Sequence, residues 1–454
     1  MVILVYAETT NRTVRHRLGM ADYSYYFVLE QLLPILEKLG TVVAIEDERS
    51  PTDSDGKPVQ GRDAETIVNA VSDFCGIVGE SCVFLSFAPP YKTRVNVKCP
   101  VVPVFAWEFP DLPSEAWNRD PRTDWRYVLE QTPAAITHSS FSRDVVRDAM
   151  TDEFVIESVP APVWSTWVHR SSGAATLPDL SPCEISFDCS VTDSRKLGLS
   201  LPSPHLQKTP FAARASSDFE LSGEQLLIPP DPAVAVELDG VVYTSIFNPN
   251  DGRKQWRDML RCFCLGLRDC PDATLVLKLV YVNSEAQRSR IENEMARAAP
   301  FACRVLIVDG FLDDATYESL AVRSTYAVNV SRGEGQCLPL MEYMSAGTPA
   351  VAPQHTAMRD YIRPTNSFVY ATTLEPVAWP TDPRQRYRTL GNRADCVSLM
   401  AAFRESYRVA KEEPAQYRRM SEEARNDLRG FCSADVVEPR LRNVLRRAVR
   451  STSS

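Results

Sequence analysis

The stretch from Ser331 to Pro353, SRGEGQCLPLMEYMSAGTPAVAP, decides the fold, because three kinds of backbone follow one another in it. Just before its turn, YAVNV, ending at Val330, is a short apolar run of strand type. SRGEGQC resists regular structure, since Gly333 and Gly335 free the backbone to turn. LPLMEYMSAG reads as a helix: Pro339 suits the first turn, where a missing N–H costs nothing, and Gly347 suits the C-terminal cap. TPAVA is the next strand. Strand, glycine turn, helix and strand make one α/β unit of a parallel sheet.

Such a unit creates a site for physical reasons. A helix N-terminus carries free N–H groups and the positive end of the dipole, so it attracts phosphate. Gly333 and Gly335 would let a ligand approach the backbone. Glu334 sits in the turn, at the carboxyl edge of the strand, where open α/β sheets bind ligands. Glu342 lies about one turn into the helix, and helical side chains lean back toward the N-terminus. Both carboxylates could reach one ligand, and ionised carboxylates accept hydrogen bonds from hydroxyls. Phosphate at the helix end with hydroxyls on two sides describes a nucleotide sugar. The bland alternative is a solvated helix residue at Glu342 and a surface loop residue at Glu334.

Working outward, the first half alternates strands and helices: VILVYAE, then YSYYFVLEQLLPILEKLG ending at Gly40, then TVVAIE, CVFLSF, VVPVFAWEFP, AAIT with its helix SSFSRDVVRDAM, and FVIES. From Thr166 to Val236 periodicity is lost in a Ser- and Pro-rich run, which predicts an interdomain linker or irregular insertion. The second half restarts with VVYTSIF and the amphipathic RKQWRDMLRCFCLGLRD, then alternates again through ATLVLKLV and CRVLIVDG. Three helices are expected at the end: DCVSLMAAFRESYRVA, PAQYRRMSEEARNDLRG and SADVVEPRLRNVLRRAVR. The expected class is α/β with two Rossmann-like domains facing across a cleft. Their bounds are 1–165 for the acceptor side, 166–236 for the linker, 237–430 for the donor side, and 431–454 for a terminal helix that crosses back to the first domain.

Bulk properties narrow the function. The 454 residues are 44% hydrophobic and 24% charged, as in an ordinary soluble globular protein of two or three domains. A formal net charge of −9 argues against a nucleic-acid partner, whose phosphates want a basic surface. No run is apolar enough to span a bilayer, and MVILVYAE reads as a first strand and lacks the basic start of a signal peptide. The twelve cysteines form no CxxC pairs, and none of the five histidines is paired at ligand spacing, so no metal site is expected. Free thiols and a cytoplasmic location follow as expectations. The basic RLRNVLRRAVR could touch an anionic membrane surface, although packing back on the body is the favoured reading.

A second site candidate is FNPNDGRKQW, which closes a strand and opens a helix. Arg253 and Lys254 stand at that helix start, where the dipole disfavours cations unless an anion lies between them and the helix. A third is VFAWEFPDLPSEAW, where Trp107 beside Glu108 would suit an acceptor sugar by stacking and hydroxyl binding. The alternative there is a core Trp107 with Glu108 paired to a nearby arginine. Tyr23 and Tyr25 are similarly placed.

EGQCLPLMEYMSAGTPAVA resembles the E-x7-E segment of retaining GT-B glycosyltransferases, especially the large family four. Glu334, Gly335, Leu338, Pro339, Glu342, Met344, Gly347, Pro349 and Val351 match its pattern. DGRKQW looks like the segment carrying that family's diphosphate-binding basic pair, and ITHSSFSRDVV is similar to a strand–helix near the end of its first domain. The resemblance implies these roles. Arg253 and Lys254 would hold the donor diphosphate, Glu334 would bind hydroxyls of the donor sugar, and Gly335, Cys337 and Leu338 would line the phosphate turn. Glu342 would bind the ribose, with a nucleoside diphosphate sugar as co-substrate and no cofactor. A glycan, lipid-linked or small-molecule acceptor would meet the first domain. Cys337 stands where the family usually has glycine, and the histidine many members carry in the first domain has no counterpart in FLSFAPPYK. His138 lies in a different segment and reads as structural. The other readings of this resemblance are a catalytically silent nucleotide-sugar binder and a sugar-nucleotide epimerase or phosphorylase.

Overall fold

The computed structural model describes residues 1–14, 17–19, 23–46, 63–170, 177, 180–199, 233–281 and 285–450. Two parallel sheets dominate. The first joins β1 (Val2–Ala7), β2 (Thr41–Ala44), β3 (Cys82–Phe87), β4 (Val101–Val104), β5 (Ala134–Thr137) and β6 (Val155–Ser158) in the order 2-1-3-4-5-6. All of its pairings are parallel. β3, β4 and β5 are buried along their whole length, as strands covered by helices on both faces must be.

The second lobe contributes β7 (Cys183–Phe187), β8 (Ser190–Asp193), β9 (Val234–Leu238), β10 (Val241–Phe247), β11 (Ala273–Leu279), β12 (Arg304–Asp309), β13 (Tyr326–Val328), β14 (Ala350–Ala352) and β15 (Ser367–Val369). Its main sheet runs 15-14-13-10-11-12-8, parallel except for β8, which pairs antiparallel with β12. β7 and β9 form their own antiparallel pair. The stretch 166–236, expected as linker or irregular insertion, therefore gives strands to the second lobe in its described part; residues 200–232 lie outside the described residues. A hairpin of β16 (Thr372–Ala378) and β17 (Tyr387–Ala394), unassigned in the sequence reading, stands beside the sheet.

β4 is shorter than its sequence suggests. After Val104 the chain leaves the sheet and reaches toward the other lobe. The helices at Cys396–Glu412, Pro414–Cys432 and Ala434–Arg450 occur where expected. The last crosses to the first lobe and buries Val437, Leu441, Val444, Leu445 and Ala448 in a core shared with β3, β4 and β5. Its apolar stripe is thereby consumed by the fold. Among the described residues no helix is long and apolar enough to cross a membrane.

The carboxyl ends of both sheets meet at one seam. After β1, the Gly19 carbonyl accepts from Asn248 Nδ2 at 2.7 Å. After β5, the Ser140 N–H and hydroxyl both donate to Asp360. After β6, the Ala161 N–H donates to Gln336 Oε1 at 2.7 Å. Each contact joins a strand end of one lobe to a strand-end loop of the other.

Candidate active site

Three loops at the ends of β10, β13 and β14 build the site, and each holds one non-glycine residue in left-handed backbone: Gln255 (φ 41°), Cys337 (φ 67°) and Thr356 (φ 49°). That conformation costs an ordinary residue of order 1–3 kcal/mol and persists where the surroundings over-determine it, often at functional sites. At Cys337 it explains the resemblance's usual glycine, the one residue free of the Cβ clash there.

The β10 loop presents the basic pair. Asp251 accepts from the Arg253 N–H at 3.0 Å and grips its guanidinium at 3.1 and 2.6 Å. The other side of Arg253 is hydrogen-bonded by Glu108, from the loop after β4 in the opposite lobe. Lys254 Nζ donates to Glu334 Oε1 at 2.6 Å. Asn329 Nδ2 reaches the same oxygen at 3.0 Å and the Cys337 sulfur at 3.2 Å. Glu334 is 5% exposed. Burial pushes its carboxyl up, but the charges of Lys254 and Arg253 outweigh burial and hold it below the usual carboxylate range. Burial would likewise lower Lys254, and Glu334 reverses that. Glu108 goes the other way: burial, helped by Asp251 and Glu334 and opposed by Arg253, pushes it up to about 7.

Arg253 and Lys254 are thus met by protein carboxylates. The anion that the sequence reading required between two cations and a helix start is supplied here by Asp251, Glu334 and, across the seam, Glu108. The two glutamates of the opening segment both lie at this seam. Glu342 accepts from the Tyr317 hydroxyl at 2.6 Å, and it adds to the burial that chiefly raises the pKa of Tyr23, a residue of the first lobe. The helix after the turn spans Leu338–Ser345, with Cys337 at its N-cap.

Two expectations take a different form. Gly333 and Gly335 were read as admitting a ligand to the backbone. Their close neighbours are the other lobe: a Cβ on Gly335 would stand 2.5 Å from that of Ala106, and one on Gly333 2.6 Å from the Glu108 carbonyl oxygen. Trp107 is 3% exposed, lies against Phe109 and Trp125, and donates its indole N–H to the Asp111 carbonyl at 2.9 Å. Its ring belongs to the first lobe's core and leaves no face for a sugar. His138 is buried with Nδ1 at 3.0 Å from the Val159 carbonyl, a structural placement. Among the described residues no cluster of three His, Cys, Asp or Glu side chains is arranged to hold a metal.

Sequence reading missed the site's third loop. His355 lies near Glu334, and Thr356 ties to it directly, its hydroxyl accepting from the Glu334 N–H at 3.0 Å. The Ala357 N–H closes the tie by donating to the Glu334 carbonyl at 3.1 Å. VAPQHTAM carries no local signal beyond the histidine; only the pairing of β13 with β14 brings it to Glu334.

No protein-family model matches the chain, and no curated protein sequence does. Solved structures do match in architecture across the whole chain. The sucrose-phosphate synthase of Thermosynechococcus elongatus superposes with a TM-score of 0.56 at 13% identity, covering 100% of this chain and 99% of that one. The fold is GT-B. A glycosyltransferase from Rickettsia africae ESF-5 gives 0.54 at 8% identity over 99% and 98% of the two chains. Anabaena Alr3699/HepE in complex with UDP-glucose gives 0.52 at 10% over 100% and 99%. At these identities the likeness is one of fold, and the GT-B arrangement accounts for the two lobes, the seam of strand ends and the returning C-terminal helix.

Proposed function

We propose that this chain is a retaining glycosyltransferase that moves a sugar from a nucleoside diphosphate sugar to an acceptor held by the first lobe. One observation carries the reading: Arg253, Lys254 and Glu334 converge from adjacent strand-end loops at the interlobe seam of a GT-B fold. Glycosyl transfer builds positive charge on the sugar and negative charge on the departing diphosphate. Two fixed cations stabilise the second, and donors of this kind each contribute on the order of 10²–10³ in rate. On this reading Glu334 and Glu342 would accept from sugar and ribose hydroxyls. The retaining outcome rests on the resemblance of the Ser331–Pro353 segment.

In the closed arrangement Glu108 occupies the side of Arg253 that a diphosphate would need. Donor entry then requires the lobes to part, withdrawing Glu108, whereas Asp251 and Glu334 stay with their own lobe. The same plug favours a second reading, a nucleotide-sugar binder without transferase activity, because a permanently held Arg253 would bind weakly and turn over nothing.

A thermal-shift and calorimetric panel of UDP-, GDP-, ADP- and TDP-glucose separates these readings, since a ligand of the native state raises its stability. The expected result is a raised Tm with one base, followed by sugar transfer or slow donor hydrolysis. Lys254→Ala and Glu334→Ala should lower turnover about 10²–10³-fold. Glu334→Gln keeps the side-chain shape and an oxygen to accept from Lys254 but removes the countercharge, so the melting temperature of every variant is measured beside its turnover. Undiminished activity in both alanine variants removes this site assignment; binding without transfer or hydrolysis selects the silent binder.

A further inference from the structure

A cavity of about 500 Å³ is lined by none of the residues of the site above. Its volume is that of a small-molecule pocket. Both lobes contribute to it: Glu157 from β6, Arg363 from the loop after β14, Asp427 and Gly430 from the helix Pro414–Cys432, and Arg440 from the last helix. Two of these cations have no carboxylate partner among the described residues. Arg363 donates from Nη1 to the Arg359 and Ile362 carbonyls at 2.7 and 2.8 Å, and from Nη2 to the Asp360 carbonyl at 2.9 Å. Its guanidinium is thus fixed in place by neutral groups. Arg440 spends one N–H on the Ser158 carbonyl at 3.3 Å and keeps its other donors open. The carboxylates of the cavity are also half spent. Glu157 Oε1 accepts from the Ser158 N–H at 3.2 Å and Asp427 Oδ2 from Asn366 at 2.7 Å, while Glu157 Oε2 and Asp427 Oδ1 accept nothing among the described residues.

Gly430 adds a separate observation. Glycine is among the poorest helix formers, yet this one lies within a helix, and a Cβ on it would meet nothing within 4 Å. Packing of the chain on itself gives no reason for a glycine there. Its place in the cavity lining does, because a side chain would fill the space. Guanidinium groups held in place match the oxygens of a phosphate, and open carboxylate oxygens take hydroxyls. A bare anion would leave Glu157 and Asp427 unmet, and an uncharged polyol would leave Arg363 and Arg440 without a countercharge. We propose that the cavity is a binding site for a small phosphorylated polyol, with its phosphate on Arg363 and Arg440 and its hydroxyls on Glu157 and Asp427. A ligand so held touches both lobes. The site stands or falls apart from the donor reading.

Calorimetry tests it with glucose 6-phosphate, ribose 5-phosphate and glycerol 3-phosphate against inorganic phosphate and glucose, for wild type, Arg440→Gln and Gly430→Met. At least one phosphorylated polyol should bind wild type about tenfold tighter than either inorganic phosphate or glucose, since it completes both sets of groups. Arg440→Gln should weaken that ligand about tenfold by removing a charged donor. Gly430→Met should weaken it at least as much by filling the cavity, with a melting temperature equal to or above that of wild type because methionine suits a helix better than glycine. The second variant keeps the test decisive if the first melts early. A panel in which no phosphorylated polyol binds more tightly than inorganic phosphate overturns the inference. So does tight binding that survives both substitutions, which would place the ligand elsewhere on the chain.

Discussion

Glu108 is where the site's chemistry and its stability meet. Its carboxylate lies against Arg253, yet burial pushes its pKa up to about 7 from an ordinary value near 4.5. The folded protein therefore holds this proton to higher pH than the unfolded chain does. Stability from that proton is full below about pH 4.5 and is lost as pH rises through about 7. Against Glu108→Gln, wild type should lose stability between pH 5 and 8, measured as denaturant midpoints. The same ionisation strengthens the grip on Arg253, so the donor Kd of wild type should climb across pH 6–8 while that of Glu108→Gln stays flat and lower. A wild-type profile as flat as the variant's would show that Glu108 does not compete for Arg253. His355 carries the opposite sign: its lowered pKa makes stability fall as pH drops from about 6.5 to about 4, so the two groups separate on the pH axis.

At the scale of elements, the turn between β13 and its helix is shaped by the other lobe. Gly335 faces the Ala106 Cβ and Gly333 faces the Glu108 carbonyl, so the glycines let two loops meet. Gly335→Ala should cost about 1–3 kcal/mol through overpacking. Ala106→Gly in the same chain should restore most of it, because the clash is between two Cβ atoms. Chemical denaturation of the three variants checks this, and no recovery in the double variant would place the strain elsewhere. This contact also marks how far sequence could reach. Runs such as CVFLSF and ATLVLKLV declare buried strands by composition, and the turn–helix at Glu334 to Gly347 is spelled out by glycine and proline. The Arg253–Glu108 contact joins residues 145 positions apart, and His355 acquires meaning only through sheet order. β8 was hidden because Ser190–Asp193 is half-buried and polar, and the β16–β17 hairpin because Pro376, Gly391 and several charges interrupt its alternation.

For the whole molecule the question is what holds the lobes together and what lets them part. The hairpin clasps the first lobe: Trp379 and Thr389 donate to Asp111 at 3.0 and 3.1 Å, and Arg388 to Glu115 at 2.6 Å. Arg359 reaches Asp144 at 2.6 Å on the far side. These polar ties can exchange for water. The helix Ala434–Arg450 is different in kind. It buries Val437, Leu441, Val444, Leu445 and Ala448 against strands of the first lobe while its chain belongs to the second. At about 1.5–3 kcal/mol for each fully buried Val or Leu, that face contributes of order 6–12 kcal/mol before conformational entropy, an upper bound. Net domain stabilities are about 5–15 kcal/mol. Removing this face is therefore expected to take away most or all of the first lobe's net stability. A chain ending at Ser433 should lose the first lobe's cooperative unfolding transition in calorimetry. Val444→Asp should do the same in the full-length chain by placing an unpaired charge in the core. A truncated chain melting within a few degrees of the full one would mean that the helix only decorates the first lobe.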